Sequence, residues 1–116
     1  MIGVIGVDEN TSVELMYNEL KHQAAELFGV EEAAVIDKAF KVAKERHNGQ
    51  MRSSGEPYII HPIAVAKIVI DYGMDYQSVV AAMLHDTVED TDLALEEVKK
   101  EFGADIASLV DGLTKL

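Results

Sequence analysis

The chain contains no cysteine, so neither a disulfide framework nor a thiolate metal site is available to it. Only two prolines interrupt it, which leaves long stretches free to wind into helices. Positive charge is also scarce: 10 Lys and Arg stand against 21 Asp and Glu, a formal net charge of −11. A chain of that sign repels a nucleic-acid backbone at long range, so non-specific DNA or RNA binding is disfavoured. No apolar run approaches the ~20 residues that span a bilayer, so no membrane partner is expected. The opening Met1-Ile2-Gly3-Val4-Ile5-Gly6-Val7 is apolar but short and has no basic leader, unlike a signal peptide. A cytoplasmic location is the default that remains. The 116 residues suffice for one domain and are too few for two.

The few cations are unevenly placed. Lys38, Lys41, Lys44, Arg46 and Arg52 supply half of them, and only Glu45 opposes them within that span. Two readings stand: a local patch suited to a small polyanion, or a solvated helix face.

Apolar spacing and turn residues predict an all-α chain of about six helices. Residues 1–10 show no periodicity and read as a flexible tail. Thr11 or Ser12 can cap a first helix ending at Phe28 before Gly29, with Leu15, Leu20, Ala24 and Leu27 as its apolar stripe. A second runs from about Glu31 to Asn48, followed by a loop over 50–62. Pro62 biases His61 toward an extended conformation just ahead of a third helix, about Ile63 to Tyr72. The fourth, about Tyr76 to Val88, is apolar all round over Val79–Leu84, the mark of a buried central helix. A fifth covers about Ala94 to Phe102. A sixth starts near Asp105 and runs without a stop signal to Leu116, which predicts a bundle truncated at its C-terminus.

The chemistry concentrates where the fourth helix changes character, at His85-Asp86-Thr87-Val88-Glu89-Asp90. Helical neighbours point about 100° apart, yet His85 and Asp86 can converge on an ion beside the helix because their reaches differ. Spacings of three and four bring in Glu89 and Asp90. An unpaired buried carboxylate costs several kcal/mol, and no Lys or Arg lies between Lys67 and Lys99. A divalent metal supplies the missing counter-charge most simply. The alternative is that the carboxylates lie past the core and are solvated, with His85 capping the helix. His61, 24 residues upstream of His85, is the further candidate ligand. His22 and His47 read as ordinary surface or core histidines. Imidazole and carboxylate without sulfur suit manganese, zinc, iron or magnesium alike.

Three blocks carry a likeness to a known family. They are Ala39-Phe40-Lys41-Val42-Ala43 with His47 through Pro62, then Leu84-His85-Asp86-Thr87-Val88-Glu89-Asp90-Thr91, then Val110-Asp111-Gly112-Leu113-Thr114-Lys115-Leu116. In this order and spacing, from about residue 31 onward, the chain resembles the hydrolase domain of RelA/SpoT-type alarmone enzymes. The resemblance implies an HD-type phosphohydrolase bundle, here its N-terminal part over residues 11–116. It implies removal of the 3′-pyrophosphate of ppGpp or pppGpp to leave GDP or GTP, a stringent-response activity, with manganese as the usual metal. Carried over by position, His61, His85 and Asp86 match three metal ligands. Glu89 and Asp90 match the acidic pair that orients or activates water, and Arg52 matches a residue packed on guanine, bordered by Ser53 and Ser54.

Two departures accompany the match. The family's fourth ligand is an aspartate beyond the Thr-Lys-Leu block, and Ser53 stands where many relatives carry a basic residue. The 116-residue chain alone is therefore expected to bind metal weakly and show little or no catalysis. Its open flank, with Ile106, Leu109 and Val110, is a candidate homodimer surface. Two other readings stay in view: a regulatory hydrolase-like module of a (p)ppGpp synthetase, and an HD-type phosphohydrolase acting on a different nucleotide.

Overall fold

A computed structural model describes residues 9–115 as an all-α bundle: α1 (Glu9–Phe28), α2 (Val30–Arg46), α3 (Ile60–Asp71), α4 (Tyr76–Asp90), α5 (Leu95–Phe102) and α6 (Ala104–Thr114). The expected tail lies outside the described residues as far as position 8. Its last two residues already belong to α1, which begins two residues ahead of Thr11. Gly29 and Gly103 take positive φ, 90° and 98°, and so break the chain between consecutive helices.

Helix α4 is the centre, packed against α2, α3 and α6. Val79, Val80, Ala81, Ala82, Met83 and Leu84 are all buried, which explains a segment with no polar face. Its start is fixed by Asp75, whose carboxylate accepts the Ser78 backbone N–H at 2.8 Å. In α1 the buried stripe is Val13, Tyr17, Leu20 and Ala24, while Leu15 and Leu27 face solvent. The expected stripe was thus right at Leu20 and Ala24 and displaced at its ends. Tyr17 decides the difference: its ring stacks on Phe40 of α2, centroids 3.6 Å apart, and its hydroxyl donates to Asp37 at 2.5 Å.

The clustered cations resolve into pairs. Lys38 meets Glu101 (3.0 Å), Lys41 meets Asp37 (3.0 Å), Lys44 meets Glu14 (2.7 Å), and Arg46 holds Asp92 (3.0 Å) and Glu97 (2.9 Å). Exposed pairs of this kind add little stability, but they cancel the local positive field. Of the two readings of this stretch, the solvated face describes the four residues on α2.

Two of the residues expected on an open flank are core residues. Ile106 and Val110 are buried, because they are the face of α6 that packs on α4 and α5. Leu109 and Leu113 remain 40% and 37% exposed and border a groove of about 430 Å³ whose other walls include Val65, Val69, Met74 and His85. Among the described residues no helix is long and apolar enough to cross a membrane.

Candidate metal centre

Two segments build the site: the C-terminal tip of α4 and the connection from α2 to α3. Helix α4 runs to Asp90, two residues past the expected end, so His85, Asp86, Glu89 and Asp90 all lie on its last turns. The connection folds back on itself. Arg52 N–H donates to Glu56 O (2.8 Å), Gly55 N–H to Arg52 O (2.8 Å) and Tyr58 N–H to Gln50 O (3.0 Å). Gly55, at φ 94°, makes the reversal possible.

His61 is not extended, as the proline rule suggested, but lies in the first turn of α3. Its N–H donates to Tyr58 O at 3.0 Å, and the Ile60 N–H donates to Pro57 O at 3.2 Å, so the helix starts as a tighter turn. Pro62 fits there because the first-turn N–H groups have no intrahelical acceptor to lose. The winding aims the imidazole at α4.

Asp86, 9% exposed, is the hub. Its Oδ2 lies 3.0 Å from His61 Nε2 and its Oδ1 lies 3.3 Å from His85 Nδ1. Arg52 can only donate, so His61 Nδ1, 3.4 Å from its guanidinium, is an acceptor and the ring proton sits on Nε2, facing Asp86. Coordination of an ion through that nitrogen would replace the proton. His85 Nε2 is buried with no hydrogen-bond partner, and the nearest acidic atom, Glu89 Oε1, stands 3.6 Å away. One donor atom each from His85, Asp86 and Glu89 lies within 4.8 Å of the others. His61 falls outside that set and joins it through the second oxygen of Asp86. The donor set is nitrogen and oxygen without sulfur, and a buried imidazole nitrogen there lacks a partner. These residues fit a divalent cation.

Asp90 is held differently. Tyr58 donates its hydroxyl to Asp90 Oδ2 at 2.5 Å, and Gln50 Nε2 donates to the Asp90 backbone oxygen at 3.2 Å. The hydrogen bond to Asp90 and partial burial push the Tyr58 hydroxyl up to about 12. Below Tyr58 lies His47, ring centroids 4.8 Å apart and 20° from parallel. His47 is 3% exposed, with Nε2 at 3.1 Å from Thr87 Oγ1 and Nδ1 at 3.1 Å from Gln50 Oε1.

The structure therefore brings His61, His85, Asp86 and Glu89 into one cluster, with Asp90 beside it and Arg52 at its edge. Ser53 and Ser54 sit exposed at the tip of the reversal and make no side-chain hydrogen bond to the cluster. Tyr58 and Gln50 were not singled out from the sequence, and His47, read as an ordinary surface or core histidine, is a core one with two side-chain partners. A tyrosine in a loop otherwise rich in Ser, Gly and Pro was the available signal for the first.

Residues 39–116 match the HD domain family. A probable GTP pyrophosphokinase of Mycobacterium leprae is 54% identical over 83 residues, 72% of this chain and 10% of that protein. A guanosine-3′,5′-bis(diphosphate) 3′-pyrophosphohydrolase of Aquifex aeolicus is 51% identical over 84 residues, 72% of this chain and 12% of the relative. Its namesake in Vibrio cholerae is 43% identical over 101 residues, 87% of this chain and 14% of the relative. The chain thus spans 10–14% of the length of these curated relatives. A family match over residues 39–116, joined to these relatives, shows that the chain belongs to the HD domain family, in its RelA/SpoT branch.

Proposed function

We propose that this chain is the N-terminal part, residues 11–116, of a cytoplasmic hydrolase domain that removes the 3′-pyrophosphate of ppGpp or pppGpp in a manganese-dependent reaction. The observation that carries the reading is the closure of His61, in the first turn of α3, on Asp86 at 3.0 Å beside His85, on the last turns of α4. Relatives named as 3′-pyrophosphohydrolases of that nucleotide support the choice of substrate.

His61, His85 and Asp86 would hold the ion, with Glu89 at its margin. A divalent ion there offsets phosphate charge and makes water more acidic. Hydrolysis adds water across the bond between the 3′ oxygen and its pyrophosphate, leaving a 3′-hydroxyl and free pyrophosphate. Asp90 and Glu89 are the groups to orient that water and take its proton. Arg52 lies at the open edge, where its planar guanidinium can stack on a purine in a way a lysine would not match. Ser53 and Ser54 border the same edge. An acidic protein can hold a polyanion through a shared cation, which makes the net charge of −11 compatible with this substrate.

The test is a longer protein carrying this chain, supplied with manganese and ppGpp labelled in its 3′-pyrophosphate. Release of labelled pyrophosphate with formation of GDP is expected, and the 116-residue chain alone should be weak or inactive. Retained label, with an active relative as control, contradicts the reading. Relatives named GTP pyrophosphokinase give a second reading, a regulatory hydrolase-like module, which retained label together with nucleotide binding would favour.

A further inference from the structure

Asp90 differs from the other acidic groups at the tip of α4 in having a fixed direction. Asp86 is shared by two imidazoles, and Glu89 has only His85 Nε2 nearby at 3.6 Å. Asp90 instead receives the Tyr58 hydroxyl on Oδ2 at 2.5 Å and the Gln50 amide on its backbone oxygen at 3.2 Å. Both donors come from the connection between α2 and α3, so the tip of α4 is clamped by side chain and backbone together.

The clamp has its own support. Gln50 Nε2 donates to Asp90 O, so its amide is oriented with Oε1 toward His47 Nδ1, 3.1 Å away, and that nitrogen carries the proton. His47 Nε2 then accepts from the Thr87 hydroxyl at 3.1 Å. The ring is buried and fixed at both nitrogens, one of them bonded to α4 itself. Tyr58 stacks on this ring at 4.8 Å, with little freedom to swing its hydroxyl away.

We propose that Tyr58 is the positioning residue for Asp90: it holds Oδ2 so that Oδ1 meets the attacking water, with His47 as the fixed surface under its ring. The inference rests on the hydrolase reading above, since it assigns Tyr58 a part in that reaction. Tyr58 acts through Asp90 and touches neither substrate nor ion. Its removal should therefore slow turnover without loosening either ligand.

The experiment uses the longer protein with manganese and ppGpp, comparing wild type, Tyr58→Phe, Asp90→Asn and the double variant. Single-turnover rates keep slow variants measurable. Tyr58→Phe should lower the hydrolysis rate roughly ten- to a hundredfold, the scale of a small misplacement of a reacting group. Its KM and its manganese affinity by calorimetry should stay within about twofold of wild type, since neither ligand is touched. In the Asp90→Asn background the same change should cost nothing further, because the two residues act as one unit. An unchanged Tyr58→Phe rate, a KM effect alone, or losses that multiply in the double variant would each overturn the inference. An inactive wild type removes the functional reading and this inference together. An active wild type matched by an equally active Tyr58→Phe removes the inference alone.

Discussion

The two halves of α4 obey different rules. From Tyr76 to Leu84 the helix is specified by its own residues: a cap at Asp75 and an uninterrupted apolar run that must be covered on every side. From His85 to Asp90, three residues are placed by partners elsewhere: Asp86 by His61, Thr87 by His47, and Asp90 by Tyr58 on its carboxylate and Gln50 on its backbone oxygen. The first half supplies a rigid support that burial alone makes stable. The second half carries groups whose charge would be costly without neighbours drawn from the loop. Rigid support beneath an electrostatically demanding tip is how a small bundle can hold reactive groups without giving up its core.

Substitutions should separate the halves. The largest stability effect is expected from Leu84→Ala, a fully buried position, at about 2–5 kcal/mol in denaturant unfolding. A much smaller loss would mean that α4 is not the packed centre. Asp86→Ala should act on the other half: divalent-ion affinity falls by at least about a hundredfold by calorimetry. Unchanged affinity would remove Asp86 as the hub.

Asp75→Ala should cost about 1 kcal/mol, as for other helix caps. The Ser78 hydrogen bond holds the Asp75 carboxyl below the usual carboxylate range, so its contribution is complete above the unfolded value of about 3.9. It is lost as pH falls through the lower folded value. An acid-unfolding curve that this substitution leaves unmoved would contradict the cap.

The smallest signal is spectroscopic. One tyrosine should ionise near pH 12 in an ultraviolet titration, and that step should vanish in Tyr58→Phe. Because the folded value is raised, the stability tied to the neutral phenol is full below about pH 10 and declines as pH rises through the folded value. A Tyr58 that ionises like a free tyrosine would show that its bond to Asp90 does not persist in solution.

How much of this was legible in the sequence follows the same division. The buried run Val79–Leu84 could be read directly, because burial on all sides leaves a compositional trace in the element itself. So could the crowding of His85, Asp86, Glu89 and Asp90, which is fixed by helical spacing once the helix is granted. The conformation of His61 was misjudged, since the pre-proline restriction is a local preference that the first turn of α3 overrides. The basic stretch on α2 stayed open between two readings for a related reason: Glu14, Asp92, Glu97 and Glu101 neutralise it from distant positions, which no window on the chain reveals. Ile106 and Val110 were assigned to an open flank although they are core residues, because the partner face of α6 is set by α4 and α5. His47 was the least visible. Its burial and two partners exist only after three segments have met.

The central claim is that His61 and the His85–Asp86 pair share one cation. It is tested most directly by pulsed electron paramagnetic resonance of Mn²⁺ added to the longer protein that carries this chain. Coupling to two imidazole nitrogens is predicted, one lost in His61→Ala and the other in His85→Ala. A spectrum of fully hydrated Mn²⁺, or nitrogen coupling that survives both substitutions, contradicts it.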